Sequence, residues 1–289
     1  MSTTMTAGHA ARAAGQRHYR RFHPIEQVMH VFLMISFIGL ALSGIPLLFA
    51  DQAWAQILVE WMGGFVGAAL VHRVSAAIML FLFVFHILRV FVRAFRSDDP
   101  LGMFWGPNSL TPNLKDAQDL WGMFKWFFGK GERPQFDRYT YWEKFDYLAV
   151  FWGMFIIGGS GLLLWFPTFF SQFLPGWMFN LATLVHGEEA LLAVGFIFTI
   201  HFFNGHLRPE KFPMDMVIFT GSVSEHELKE ERPLEYERLV ARGELGALAM
   251  PAPTPQRLTV GRIVGTIAVV LGLITVALII YSVVVDVLN

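Results

Sequence analysis

Five long apolar stretches alternate along the chain with segments rich in charge, proline and glycine. They cover approximately residues 25–49, 68–92, 147–166, 183–203 and 263–285, each close to the ~20 residues a helix needs to cross a bilayer. Strand-like alternation of polar and apolar positions is absent from them. Backbone groups in hydrocarbon must be satisfied within their own segment, so all five are expected to be helices. Between the second and third stretch, a Pro/Gly/Asn loop leads into residues 116–128. There Leu120, Phe124, Phe127 and Phe128 recur at helical spacing beside Trp121, Lys125 and Trp126. This predicts an amphipathic helix in the membrane interface; a plain aromatic belt is the simpler alternative. Residues 129–137 form a break, and 138–144 (RYTYWEK) supply aromatic and charged anchors for the third stretch. Residues 222–242 mix Glu with Lys and Arg at helical spacing and predict a solvated helix, followed by a PAPTP linker at 251–255.

Composition strengthens the membrane reading. The chain is 54% hydrophobic and 16% charged with a mean hydropathy of +0.48, more apolar and less charged than soluble domains. Lys and Arg distribute unevenly: four lie in residues 1–24 (Arg12, Arg17, Arg20, Arg21), nine in 89–144 and eight in 204–262, with none in 51–70 or 167–185. Only Arg73 falls at the opposite end. Positive charge accumulates on the cytoplasmic side of spans, so the N-terminus is expected in the cytoplasm and the C-terminus outside. Residues 1–14 hold no apolar core, and no removable signal peptide is expected. The expected organisation is a cytoplasmic segment (1–24), a four-helix domain (25–203) with a cytoplasmic loop (96–146), a charged segment and linker (204–260), and a fifth helix (261–289) with a packing role.

A net charge of −1 offers no field that would attract nucleic acid. Cysteine is absent, which excludes disulfides, thiolate-bound iron–sulfur clusters and covalently attached c-type haem.

Histidines carry the candidate chemistry. His72 and His86 are 14 residues apart and His186 and His201 are 15 apart, intervals of roughly 21 and 22 Å that return each pair to within about 60° of one helix face. Two planar, axially ligated cofactors stacked across a membrane need this layout. His72 and His186 begin their spans toward the outside and can face each other across an outer cofactor. His201 can pair with His30 or with His86 across an inner one. Ionisable groups inside spans are costly and therefore functional candidates, although a lone helix-end imidazole bonded to a carbonyl is ordinary. Gly39, Ser43, Gly44, Ala76, Ala77, Gly153, Gly158, Gly159 and Gly161 would let a bulky ring approach the backbone; the same small residues also serve plain helix packing. Arg73 and Arg208 are candidates for propionate contacts, with interfacial anchoring as the alternative. His206, 20 residues from His186, is expected about 200° around the helix, facing away from the pair, and is assigned to the interface or the neighbourhood of a quinone. Tyr139, Thr140, Glu143, Lys144, His86 and His206 are candidates for a quinone or proton site. His9, His18, His23 and His226 lie outside the spans and are expected to be solvated.

These residues, with the stretch from His30 to Pro46 that contains LALSGIP, the LVH strings ending at His72 and His186, FWG…SGLLLWFP over 151–167, TGSVS at 220–224 and ERPLEYERL from Glu231, resemble the cytochrome b (gamma) subunit of membrane-bound formate dehydrogenase and the related cytochrome b subunits of nickel–iron hydrogenase. The similarity runs over about residues 22–239. It implies an all-α integral membrane protein: a four-helix bundle with two b haems, His72 and His186 binding the outer haem iron and His30 and His201 the inner, plus the additional fifth helix. It also implies a quinone (menaquinone or ubiquinone) beside the inner haem. Partners would be lipid and a periplasmic redox protein, either a dehydrogenase iron–sulfur subunit or a multihaem cytochrome c. The location would be the bacterial inner membrane. Thr140 stands where that family's formate dehydrogenase subunit has a quinone-contacting Asn, and His86 is a rival inner ligand. Alternatives from other classes are a histidine-dependent metal or proton transporter and a non-redox membrane anchor.

Overall fold

The structure, a computed structural model, describes residues 17–288; the expectations about a signal peptide, Arg12 and His9 lie outside them. In chain order its main elements are β1 (His18–Arg20), α1 (Pro24–Leu48), α2 (Ala53–Trp61), α3 (Gly64–Arg96), α4 (Pro100–Trp105), α5 (Leu114–Phe127), α6 (Tyr141–Trp165), α7 (Pro167–Phe170), α8 (Trp177–Leu207), α9 (Val217–Thr220), β2 (Ser222–Ser224), α10 (Glu225–Glu231), α11 (Pro233–Ala241), β3 (Ala249–Met250) and α12 (Pro255–Leu288). Five of them, α1, α3, α6, α8 and α12, are long and apolar enough to cross a membrane. Most of these helices outrun the apolar stretches, because helical hydrogen bonding continues past the point where hydropathy falls. The chain divides into two compact units, one of residues 17–27, 92–147 and 216–262, the other of 28–91, 148–215 and 263–288.

The second unit contains most of the spanning residues. Its core joins Ala41 and Ile45 of α1, Phe49 just beyond its end, Ala55 of α2, and Val194, Phe198 and Phe202 of α8. Val269, Val276 and Ile279 of α12 pack against that core, so the fifth helix packs on this bundle. Gly272 makes the approach possible: a Cβ there would stand 2.7 Å from a Phe198 ring atom. Trp54 Nε1 donates to Ser282 Oγ at 2.9 Å, and Ser282 is wholly buried. Gly272→Val is expected to lower the stability of the solubilised protein by about 1–3 kcal/mol through overpacking, read as a fall in unfolding temperature, whereas Ser282→Ala should lower it by only about 1 kcal/mol.

The first unit contains a small antiparallel sheet of order β2-β1-β3, pairing Tyr19 with Val223 and Ala249. It amends the all-α expectation; strands of two or three residues are too short to show alternation. Tyr19, Val223 and Leu228 form the core beneath it. The TGSVS string builds this corner. Gly221 ends α9 at φ +73°, its carbonyl accepts from Arg21 N at 2.8 Å, and Ser224 Oγ caps α10 by accepting from Glu227 N. The expected single charged helix is therefore a strand followed by two helices, broken where Pro233 starts α11. His18 departs from expectation too. It is half-buried in β1, and burial holds its pKa below the ordinary histidine value. The amphipathic helix is present as α5, begun by a reciprocal cap between Asn113 and Asp116. Its Leu120, Trp121, Phe124 and Phe127 are exposed.

Around Glu235 the same unit holds a buried ionic network. Glu235 accepts from Arg21 at 2.6 Å and Arg138 at 2.8 Å, and each of these arginines also donates to the other's carbonyl. Burial pulls the Arg21 pKa below its ordinary value, and Glu235 counters part of that pull. Arg232 meets Glu143 at 3.0 Å and Arg238 meets Asp137 at 2.6 Å. The ERPLEYERL string thus contributes Arg232, Glu235 and Arg238 to one cluster.

Candidate functional site

His72 on α3 and His186 on α8 come together with ring centres 6.2 Å apart. Each ring is held from the neighbouring helix in the same way. Ser43 Oγ of α1 lies 3.0 Å from His72 Nδ1, and the Leu40 carbonyl also accepts from that ring. Ser160 Oγ of α6 lies 3.2 Å from His186 Nδ1, and the Ile157 carbonyl lies 3.0 Å away. Both serines donate their own proton backwards along the helix, Ser43 to Gly39 O and Ser160 to Ile156 O, each at 2.6 Å. Their oxygens are thereby left as acceptors toward the imidazoles. A carbonyl can only accept as well, so Nδ1 must carry the ring proton and Nε2 keeps its lone pair. This is the tautomer of a metal-binding imidazole whose other nitrogen is held by a supporting hydrogen bond.

Close approach depends on two glycines. A Cβ at Gly44 would stand 3.1 Å from His72 Cε1, and one at Gly161 would stand 2.9 Å from His186 Cε1. Two nitrogens bound to one iron, at about 2 Å each and about 1.1 Å from their ring centres, put those centres roughly 6 Å apart. The observed 6.2 Å, with the ring planes at 68°, is of the length that a bis-imidazole iron needs.

The second histidine group depends on helix irregularity. α8 contains two π turns, Ile197–His201 and Phe203–Leu207, and each wide turn absorbs one residue relative to an α-helix. The 15-residue step from His186 to His201 therefore turns like 14 residues, about −40°, matching His72 to His86. The 20-residue step to His206 turns like 18, about 0°, so His206 does not face away as the regular-helix count predicts. His30, His201 and His206 lie near enough to one another that their protonated forms would repel. Phe202 packs between them, its ring centre 6.4 Å from His201 and 5.8 Å from His206. Nδ1 of His30 and Nδ1 of His206 are buried without a hydrogen-bond partner, a state that costs about 1–3 kcal/mol per group unless a ligand or water satisfies it. The chemistry of this set also fits an axially bound iron. Among the described residues, no group of three or more His, Cys, Asp or Glu side chains is arranged to cage a bare metal ion.

The remaining candidates occupy other surroundings. His86 packs edge-on against Phe151 at 6.3 Å. Arg73 is exposed next to His72 and its charge reaches that ring. Arg208 Nε donates to Asn204 O at 2.9 Å, at the end of α8. Tyr139, Thr140, Glu143 and Lys144 lie in the first unit and hold the start of α6. Thr140 N and Oγ1 both donate to Glu143 at 2.7 Å in a capping box, Tyr139 has the Arg21 and Arg138 guanidiniums over its ring, and Lys144 pairs with Asp116 at 2.9 Å. Ser160 was not among the sequence candidates. Its signal is the Ser-Gly pair shared with Ser43-Gly44 in another span that adjoins an LVH-bearing helix.

Comparison with protein-family models finds no match for this chain, and comparison with curated proteins finds none.

Proposed function

We propose that this chain is the integral-membrane cytochrome b subunit of a respiratory oxidoreductase, moving electrons between a periplasmic redox partner and the quinone pool of a bacterial inner membrane. The observation that carries the reading is the His72–His186 pair, with ring centres 6.2 Å apart, each Nδ1 facing a serine oxygen and each ring bonded to a backbone carbonyl. His72 and His186 would bind the outer haem. His30 and His201 would bind the inner one, with His86 as the rival inner ligand. When bound, haem b supplies reversible one-electron iron chemistry. The protein's own contribution would be to present the imidazoles of His72 and His186 to one iron and those of His30 and His201 to the other, leaving oxygen no ready place to bind. Arg73 and Arg208 would be the propionate contacts. His206, half-buried on α8 within reach of His30 and His201, is the better candidate for the neighbourhood of a quinone (menaquinone or ubiquinone) than Thr140 or Glu143, whose polar atoms are engaged in the cap of α6. The excess of Lys and Arg beside the inner histidines orients the N-terminus to the cytoplasm and the C-terminus outside.

In vesicles loaded with a lipophilic quinol, the reconstituted protein should reduce an impermeant external oxidant faster than protein-free vesicles do, and His72→Ala should remove that increment. A rate unchanged by the protein would overturn the reading.

A further inference from the structure

The surroundings of His72 and His186 repeat one another in sequence and in space. Residues 41–49 read ALSGIPLLF and 158–166 read GGSGLLLWF, while LVH ends at His72 and again at His186. In each case the serine's hydroxyl bonds the carbonyl four residues back, the serine oxygen faces Nδ1, the carbonyl three residues back accepts from the ring, and the following glycine admits the ring edge. In this rule α1 with α3 and α6 with α8 are two copies of one helix-pair clamp.

We propose that Ser43 and Ser160 are paired positioning residues which fix the tautomer and raise the donor strength of His72 and His186, so that the two axial ligands of one haem are made electronically equivalent. The inference rests on the two-haem reading. A hydrogen bond accepted from Nδ1–H gives the imidazole more anionic character and makes Nε2 a stronger donor, which favours the ferric state and lowers the reduction potential. With the serine gone, the carbonyl still accepts from the ring, so the histidine stays seated but its donor strength falls. Neither serine touches the iron; each acts through its histidine.

The test is a spectroelectrochemical titration of the purified, haem-loaded protein, the affected haem being the one lost in His72→Ala. Ser43→Ala and Ser160→Ala should each shift that haem's midpoint potential upward by similar amounts, and the double variant by about the sum, with the other haem unmoved. Ser43→Thr and Ser160→Thr keep the hydroxyl and should retain the parent potential. Gly161→Ala, which pushes on the His186 ring, should lose this haem alone. If the alanine variants leave both potentials in place, or move both haems equally, the clamp is refuted while the haem reading stands. A parent protein without haem removes both together, and haem content reports that before any potential is read.

Discussion

His72→Ala is expected to halve the haem content, from two per chain to one, with the remaining haem keeping its spectrum and potential. The expectation follows from the separation of the histidines into two groups. His72 and His186 meet at 6.2 Å, while His30 lies with His201 and His206. His186→Ala should have the same consequence, since an iron that loses either imidazole loses half of its protein bonds and the tautomer control behind them. On the His30 assignment proposed above, His86→Ala should keep both haems, its ring packing on Phe151, and loss of one haem would pass the inner role to His86. Haem content per polypeptide, measured after denaturing extraction, checks all three. Loss of both haems from the single His72 variant would mean that the two sites fold as one.

Glu235→Ala should be the most damaging substitution outside the spans. Glu235 is 2% exposed and accepts from two guanidiniums, one of them Arg21 at 7% exposure. Its removal leaves the buried Arg21 cation beside the half-buried Arg138 without their shared anion, a loss of about 3 kcal/mol. Lys115→Ala breaks an ion pair as well, with Asp119 at 2.6 Å, yet this pair is a partly exposed i,i+4 contact worth about 0.2–0.5 kcal/mol. Unfolding temperatures of the two variants in detergent should differ accordingly, with Glu235→Ala low and Lys115→Ala close to the parent. Equal temperatures would show that the Glu235 network adds nothing to stability.

How much could be read from the sequence depended on the range of the interaction. The five spans and the amphipathic α5 follow from composition and spacing within about 20 neighbouring residues, and they are present with shifted ends. Strands β1, β2 and β3 join residues some 200 positions apart, and two or three residues carry no periodic signal. The π turns of α8 leave no mark in hydropathy, so the regular 100° count misplaced His206. Thr140 and Glu143 carry a second signal besides the candidate quinone one. Thr140-Tyr-Trp-Glu143 is a legible capping box, and the structure uses it as one. Ser160 was overlooked for a different reason: a hydroxyl in mid-helix usually satisfies itself on the preceding turn. Ser160 does that, and the same bond is what turns its oxygen toward His186.

Spectroscopy of the purified chain reaches the central claim most directly. Protein made in haem-sufficient cells should show a reduced-minus-oxidised b-type spectrum, two haems per polypeptide, and low-spin ferric signals from iron with nitrogen on both axial sides. A colourless protein, or one whose haem is high-spin with an open axial position, would contradict the account.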